Sequence, residues 1–194
     1  MEGNRNTDDL ILSAFLRLTA ERGLDGVTTR EIAQEAGVNP VTLFRRFGDK
    51  ATIAVEAIRR YSPVARLENQ TPAVDLGNAA EDLVLYLLYL AEATLEHRRV
   101  PWLRLAMMEV SGLPEVQAEL RAIVQAVYGY LRRLLAQAAP ALRPEVDHHV
   151  TALQWMGLMR TATQMGELLG EAELSLEDWR NLLRAAVRPL VREV

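Results

Sequence analysis

Apolar residues Leu10, Ile11, Ala14, Phe15 and Leu18 recur at the i, i+1, i+4, i+5, i+8 spacing of a helix with one buried face, which predicts a first helix over residues 7–22. Thr7 is its expected cap and Gly23 its stop. Thr28 and Glu31 stand at capping-box spacing, so a second, short helix is expected from Thr29 to Ala36. Gly37 and Val38 form a tight turn. Asn39 then caps a third helix that begins on Pro40, where a missing amide hydrogen costs nothing. Gly48 closes it, and Asp49 caps a fourth helix that runs through Ile53, Val55 and Ile58 to Tyr61.

Residues 62–77 hold Pro63, Pro72 and little periodicity, and read as a connector. Further helices are expected near 78–98, 101–111, 114–138, 145–169 and 176–192, separated at Pro101, Gly112 with Pro114, Pro140 with Pro144, and Gly170. The last carries Leu176, Trp179, Leu182, Leu183, Ala186, Val187 and Leu190 on one stripe, opposite Glu177, Asp178, Arg180, Arg184 and Arg188. Such a stripe needs a partner surface. The pattern predicts an all-α chain of about nine helices without internal repeats.

The three N-terminal helices, with a glycine turn before the third, form a helix-turn-helix unit whose last helix suits a major groove. Asn39, Pro40, Val41 and Thr42 sit at the end that would reach base edges: Pro40 and Val41 can meet thymine methyls, and Thr42 offers a hydroxyl. Arg30, Arg45, Arg46 and Lys50 are the cations available for phosphates, and the amides of Thr28 and Thr29 lie at a helix start. Read alone, Thr28 and Asn39 serve equally as plain caps. Single units of this kind bind weakly, and a symmetric dimer gains by setting two recognition helices ~34–36 Å apart. Dimerisation is therefore expected, through the stripe of the last helix together with Ala162 and Gly166, which are small enough for close approach. The plainer reading of that stripe is packing inside its own subunit.

The segment TTREIAQEAGVNPVTLFRRFGDK, residues 28–50, resembles the DNA-binding domain of the TetR family of transcriptional regulators. The agreement lies in Thr-x-x-x-Ile-Ala, Ala-Gly-Val, Pro-x-Thr-Leu, an aromatic residue and Phe-x-x-Lys, and it extends over roughly residues 8–58. Where the family has a tyrosine that touches backbone phosphate, this chain has Phe44, which lacks the hydroxyl. Arg46 stands where the family often has histidine, and is expected to supply a phosphate contact instead. The resemblance implies a DNA-binding domain over residues 1–60 and an effector-binding, dimerising domain over 61–194, with the helix from 49 to 61 as the link. It also implies an effector cavity among the central helices, which carry Tyr86, Tyr89, Trp102, Met107, Met108, Tyr128, Trp155 and Met159, with Met156 alongside. Such residues fill cores as readily as they line cavities. A cavity of this kind suits a small, mainly apolar ligand held by a few polar groups such as Arg104, Gln154 or Thr163.

Composition changes this picture little. Hydrophobic residues make up 49% of the 194 and charged ones 25%, which excludes disorder and collagen. The net charge of −4 at first opposes a nucleic-acid partner, yet residues 1–60 carry nine basic and nine acidic residues, so the deficit lies beyond them. Cysteine is absent, which removes disulfides and thiolate chemistry and suits a soluble, cytoplasmic protein. The polar start MEGNRNTDD is no signal peptide, and the apolar run Leu83–Ala91 is far short of a membrane span. Glu145 and His148 form a single Glu-x-x-His, with His149 beside it and only His97 elsewhere, so no di-metal site and no cofactor are expected; the pair reads as a helix-start surface feature, with a single metal or a proton-sensitive switch as the alternatives. No phosphate loop, G-x-S-x-G or His-Glu-x-x-His motif argues for an enzyme. The expected protein is a ligand-responsive, operator-binding repressor. The alternative is a helical small-molecule-binding protein without sequence-specific DNA binding.

Overall fold

The computed structural model describes residues 2–61, 73–98, 113–169 and 174–192. Within them the chain forms α1 (Glu2–Arg22), α2 (Thr29–Glu35), α3 (Pro40–Phe47), α4 (Lys50–Tyr61), α5 (Ala79–Arg98), α6 (Pro114–Ala138), α7 (His148–Leu169) and α8 (Leu176–Val187). Short 3-10 turns cover Leu76–Asn78, Ala139–Ala141 and Arg188–Leu190. Among the described residues the β component is one isolated antiparallel bridge, Leu142 with Val191. None of the described helices is long and apolar enough to cross a membrane. The helix expected over 101–111, and with it Trp102, Met107 and Met108, lies outside the described residues, as do the side-chain surroundings of Gly166.

Two compact units emerge, one from residues 1–62 with 96–123 and one from 63–95 with 124–194. The boundary falls inside α6, between Ile123 and Val124. The reading that gave all of 61–194 to a second domain did not foresee that Val116 joins the first unit's core, with Leu113, Leu120 and Ile123 packed on it.

In the first unit α1 is the central element. It starts at Glu2, five residues before the expected cap, and Thr7 lies inside it. Ile11, Leu12, Phe15 and Leu16 are all at most 2% exposed, whereas Leu10, assigned to the buried stripe, is 48% exposed. A helix packed from several sides buries a wider arc than a single stripe predicts. Thr19 is buried on it, and its hydroxyl donates back to the Phe15 carbonyl at 2.7 Å.

The turns follow their residues. Gly37 (φ 66°) ends α2, with its amide donating to Gln34 O and that of Val38 to Ala33 O. The Asn39 side chain accepts from the Val41 amide at 2.8 Å, and Pro40 opens α3. Gly48 (φ 74°) then stops α3, and Asp49 caps α4 by accepting from the Thr52 amide. Lys50 donates its ammonium to the carbonyls of Leu24 (2.6 Å) and Val27 (3.1 Å), which ties the loop before α2 to the start of α4.

The second unit is built on the apolar faces of α5, α6, α7 and α8. α7 begins at His148 rather than 145 because Asp147 is the true cap, accepting from the amides of His149 (2.7 Å) and Val150 (3.0 Å). α8 opens on a capping box between Ser175 and Asp178 and ends at Val187, since Pro189 permits only a 3-10 turn where helix to 192 was expected. Glu81 and Arg184 join α5 to α8 through paired N–H···O contacts of 3.0–3.4 Å. Trp179, Leu183 and Val187 are at most 1% exposed in this core, with Leu182, Ala186 and Leu190 packed against it. The stripe assigned to a dimer face is thus mainly the face that α8 buries within its own subunit. Hydrophobic periodicity reports burial without saying against which chain.

Candidate nucleic-acid interface

The eight residues of α3 divide sharply by face. Leu43 and Phe47, one turn apart, are buried in the first unit's core, while Val41 is 73% and Phe44 67% exposed. The spacing 41, 44 puts these two apolar side chains together on the outward face. Asn39, Pro40 and Arg45 are exposed around them and Thr42 is half-buried. The helix is therefore anchored by one face and presents the other, with no neighbour among the described residues covering the large apolar groups.

The four expected cations do not behave alike. Arg30 and Arg45 are exposed and make no ion pair with described side chains. Arg46 is only 17% exposed and pairs with Asp8 of α1, so it fastens α3 to α1 instead of standing ready for phosphate. Lys50 is held by the loop carbonyls described above. Arg17, Arg22 and Arg60 pair with Glu35, Glu31 and Asp9. Arg45→Ala is accordingly expected to lower the slope of log K against log salt by about 0.9, one phosphate contact. Arg46→Ala is expected to leave the slope unchanged and lower the melting temperature, and anisotropy titrations between 50 and 200 mM salt separate the two.

The start of α2 is also committed internally. The Thr28 amide donates to Glu31 Oε2 at 2.8 Å and its hydroxyl donates to the same oxygen at 2.7 Å, so of the two amides assigned to phosphate only that of Thr29 is left. These two bonds from Thr28, with the guanidinium of Arg22, hold the Glu31 carboxyl down at about 2. A carboxyl depressed on folding stabilises the native state above its ordinary value near 4.5, and that contribution is lost as pH falls from there toward about 2. Thr28→Ala should cost about 1 kcal/mol at neutral pH. It should also flatten the loss of stability below pH 4.5, as read by urea unfolding at several pH values.

In the second unit the residues assigned to an effector cavity are only partly brought together. Tyr86 and Tyr89 line a groove of about 280 Å³ on α5 with Leu85, Leu88 and Glu92. The Tyr86 hydroxyl accepts from the Ala73 amide (2.9 Å) and donates to the Ala73 carbonyl (3.2 Å). Trp155 and Met159 are buried in the core, and Tyr128 lies 2.6 Å from His149 Nδ1 with Arg132 donating to its oxygen, so these three do not line the groove. The sequence reading missed Tyr130, which is fully buried and whose hydroxyl has no hydrogen-bond partner among the described residues; Trp179 Nε1 is in the same condition. Burial pushes the Tyr130 phenol up to about 12, with smaller contributions from Tyr86 and Tyr89. The period of α6, with Tyr130, Leu131 and Leu134 inward, was the available signal. Among the described residues no cluster of three potential metal-ligating side chains occurs.

Comparison with known proteins matches this arrangement. Residues 11–57 fit the model of the bacterial regulatory proteins of the tetR family. The chain is 28% identical over 88 residues to the uncharacterized HTH-type transcriptional regulator YdeS of Bacillus subtilis, covering 45% of this chain and 42% of that protein. It is 29% identical over 76 residues to the HTH-type transcriptional regulator AqdR of Rhodococcus erythropolis, covering 39% of this chain and 34% of that protein. The matched stretch thus spans less than half the length of these curated relatives. The fold as a whole is that of NalD, the secondary repressor of the MexAB-OprM multidrug efflux pump in Pseudomonas aeruginosa, with a TM-score of 0.78 at 22% identity over 100% of both chains. With an anchored third helix and its open apolar face, residues 11–57 are similar to the bacterial regulatory proteins of the tetR family, and the fold is the one NalD has.

Proposed function

We propose that the protein is a ligand-responsive repressor that binds a palindromic operator as a homodimer in the cytoplasm. Residues 1–60 carry the DNA contacts, and residues 61–194 hold the dimer surface and the site for a small, mainly apolar effector. The observation that carries this reading is the exposed pair Val41 and Phe44 beside Arg45 on a helix whose opposite face is locked into a core. Asn39, Pro40 and Thr42 complete the base-reading end, and Arg30 and Thr29 the phosphate-facing flank. NalD, with the same fold, is itself a repressor, and an operator-bound dimer blocks polymerase without further parts.

The dimer surface is supported by α7 rather than by the stripe of α8. Val150 (46% exposed) and Leu153 (49%) share a face with Gly157, whose Cβ position is open to solvent. Two apolar residues and a glycine at this spacing let a second helix approach closely, whereas Ala162 lies off this face and packs against its own subunit's core.

Coupling follows from α6, whose first turns belong to the first unit and whose remainder belongs to the second. Arg59 of α4 donates to Glu119 of α6 at 3.0 Å within the first unit, which ties α4 to the head of α6. An effector that prefers one of two states of this helix shifts DNA affinity only by its differential affinity, typically ~1–3 kcal/mol.

Selection of randomised duplexes by the purified protein at about 150 mM salt tests the reading. The expected product is a palindrome whose half-sites are centred about one helical turn apart. Recovery without consensus contradicts it and leaves a ligand-binding protein without sequence-specific DNA recognition.

A further inference from the structure

We infer that Arg132, Tyr128 and His149 form a proton-sensitive clasp between α6 and α7, closed while His149 is neutral and opened when it takes up a proton, so that acid weakens the hold on DNA. The link to DNA rests on the dimer reading above; the clasp itself does not.

The geometry fixes where each proton sits. The Tyr128 oxygen lies 2.6 Å from His149 Nδ1, and a guanidinium nitrogen of Arg132 lies 3.1 Å from the same oxygen. A guanidinium can only donate, so it fills an acceptor site of the phenol and leaves the phenol proton for Nδ1. Nδ1 accepts only when bare, as in a neutral imidazole that carries its proton on Nε2. The two rings meet edge to face, with centroids 5.8 Å apart at 85°, and Arg132 Cζ stands 5.9 Å from the centre of the Tyr128 ring. Donation therefore runs one way, from Arg132 through Tyr128 to His149, and crosses from α6 to the first turn of α7.

A second proton on His149 reverses the last step. Nδ1 becomes a donor, two cations then aim N–H groups at one neutral oxygen, and the phenol proton loses its acceptor. His149 is also the second residue of the 22-residue α7, where a cation opposes the positive end of the helix dipole. Of the charged groups at this point, Arg132 comes from α6, and Asp147 and His148 stand beside His149 in the chain. Asp147 already accepts from the amides of His149 and Val150 and also attracts Arg132, so one carboxylate would face two cations. A bond made only by the neutral ring adds stability above the range where histidine takes up its proton, and is lost as pH falls through it. Histidine changes charge between about pH 5 and 8, which places the device in the physiological range. What it holds is the start of the helix on which the dimer reading rests: Val150 follows His149 directly, and Leu153 stands one turn on.

The test compares the full chain with Tyr128→Phe and His149→Gln at about pH 7.5 and about pH 5.5. Between the two, the wild type is expected to lose about 2–4 °C more in melting temperature than either variant. An equal loss in all three proteins overturns the clasp. Nitrogen-15 spectra of the His149 ring at the higher pH are expected to show the proton on Nε2, and a proton on Nδ1 overturns it as well. Operator affinity is read by anisotropy under the same conditions, and is expected to fall about fivefold further for the wild type than for His149→Gln. If the melting temperatures separate and the affinities do not, the clasp stands and its link to DNA is overturned. If none of the three proteins binds any duplex specifically at either pH, the operator reading falls, and the melting comparison still decides the clasp.

Discussion

Replacement of Leu153 by glutamate is expected to yield a folded monomer that has lost the greater part of its operator affinity. Leu153 is half exposed on α7 and absent from its own subunit's core, so the substitution should move the chain's own stability by no more than about 0.5 kcal/mol. In a two-fold interface the same residue lies close to its own copy, and two carboxylates would be buried against each other without partners. A monomer engages one half-site, so the specific complex collapses toward non-specific binding. The expected loss is on the order of 10³-fold, the low end of the usual gap between the two. Light scattering and anisotropy on one sample check both halves of this expectation. A variant that stays dimeric with unchanged affinity moves the interface elsewhere.

The second large effect is expected from Leu43→Ala. Leu43 is 1% exposed and, with Phe47, is what fixes α3 to the first unit's core. Truncating a buried leucine costs about 2–5 kcal/mol, a large share of the 5–15 kcal/mol that holds a domain together. The loss is functional as well as structural, because the outward pair Val41 and Phe44 is aligned only while the inward pair is seated. Urea unfolding should show the lower midpoint, and DNA affinity should fall with the helix still charged as before. Val41→Ala serves as the contrast: it removes exposed surface and should leave the unfolding midpoint in place.

Apart from the start of α1, the helix boundaries of the first unit were legible because local signals fix them. Thr28 with Glu31, Asn39 before Pro40, and Gly37 and Gly48 at positive φ each act within a few residues. The roles of Arg46 and Lys50 were not legible. Their partners, Asp8 and the carbonyls of Leu24 and Val27, stand 38, 26 and 23 residues away, and a cation bound to phosphate has the same letter as one bound to its own fold. The stripe of α8 shows the same limit for apolar groups: Trp179, Leu183 and Val187 were correctly seen as buried and assigned to the wrong neighbour. Leu10 and Tyr130 err in opposite directions, since a single stripe cannot describe helices covered from several sides.

The central claim is that the exposed face of α3 reads bases, and its most direct test removes methyl groups from the DNA. Thymines of the selected half-site are replaced by deoxyuridine, and affinities are measured by anisotropy for the wild type and for the Val41→Ala, Phe44→Ala double variant. The wild type is predicted to lose about 0.8 kcal/mol for each contacted methyl. The double variant, weaker on thymine DNA, is predicted to lose nothing further on deoxyuridine. An equal loss in both proteins, or none in the wild type, would contradict the account.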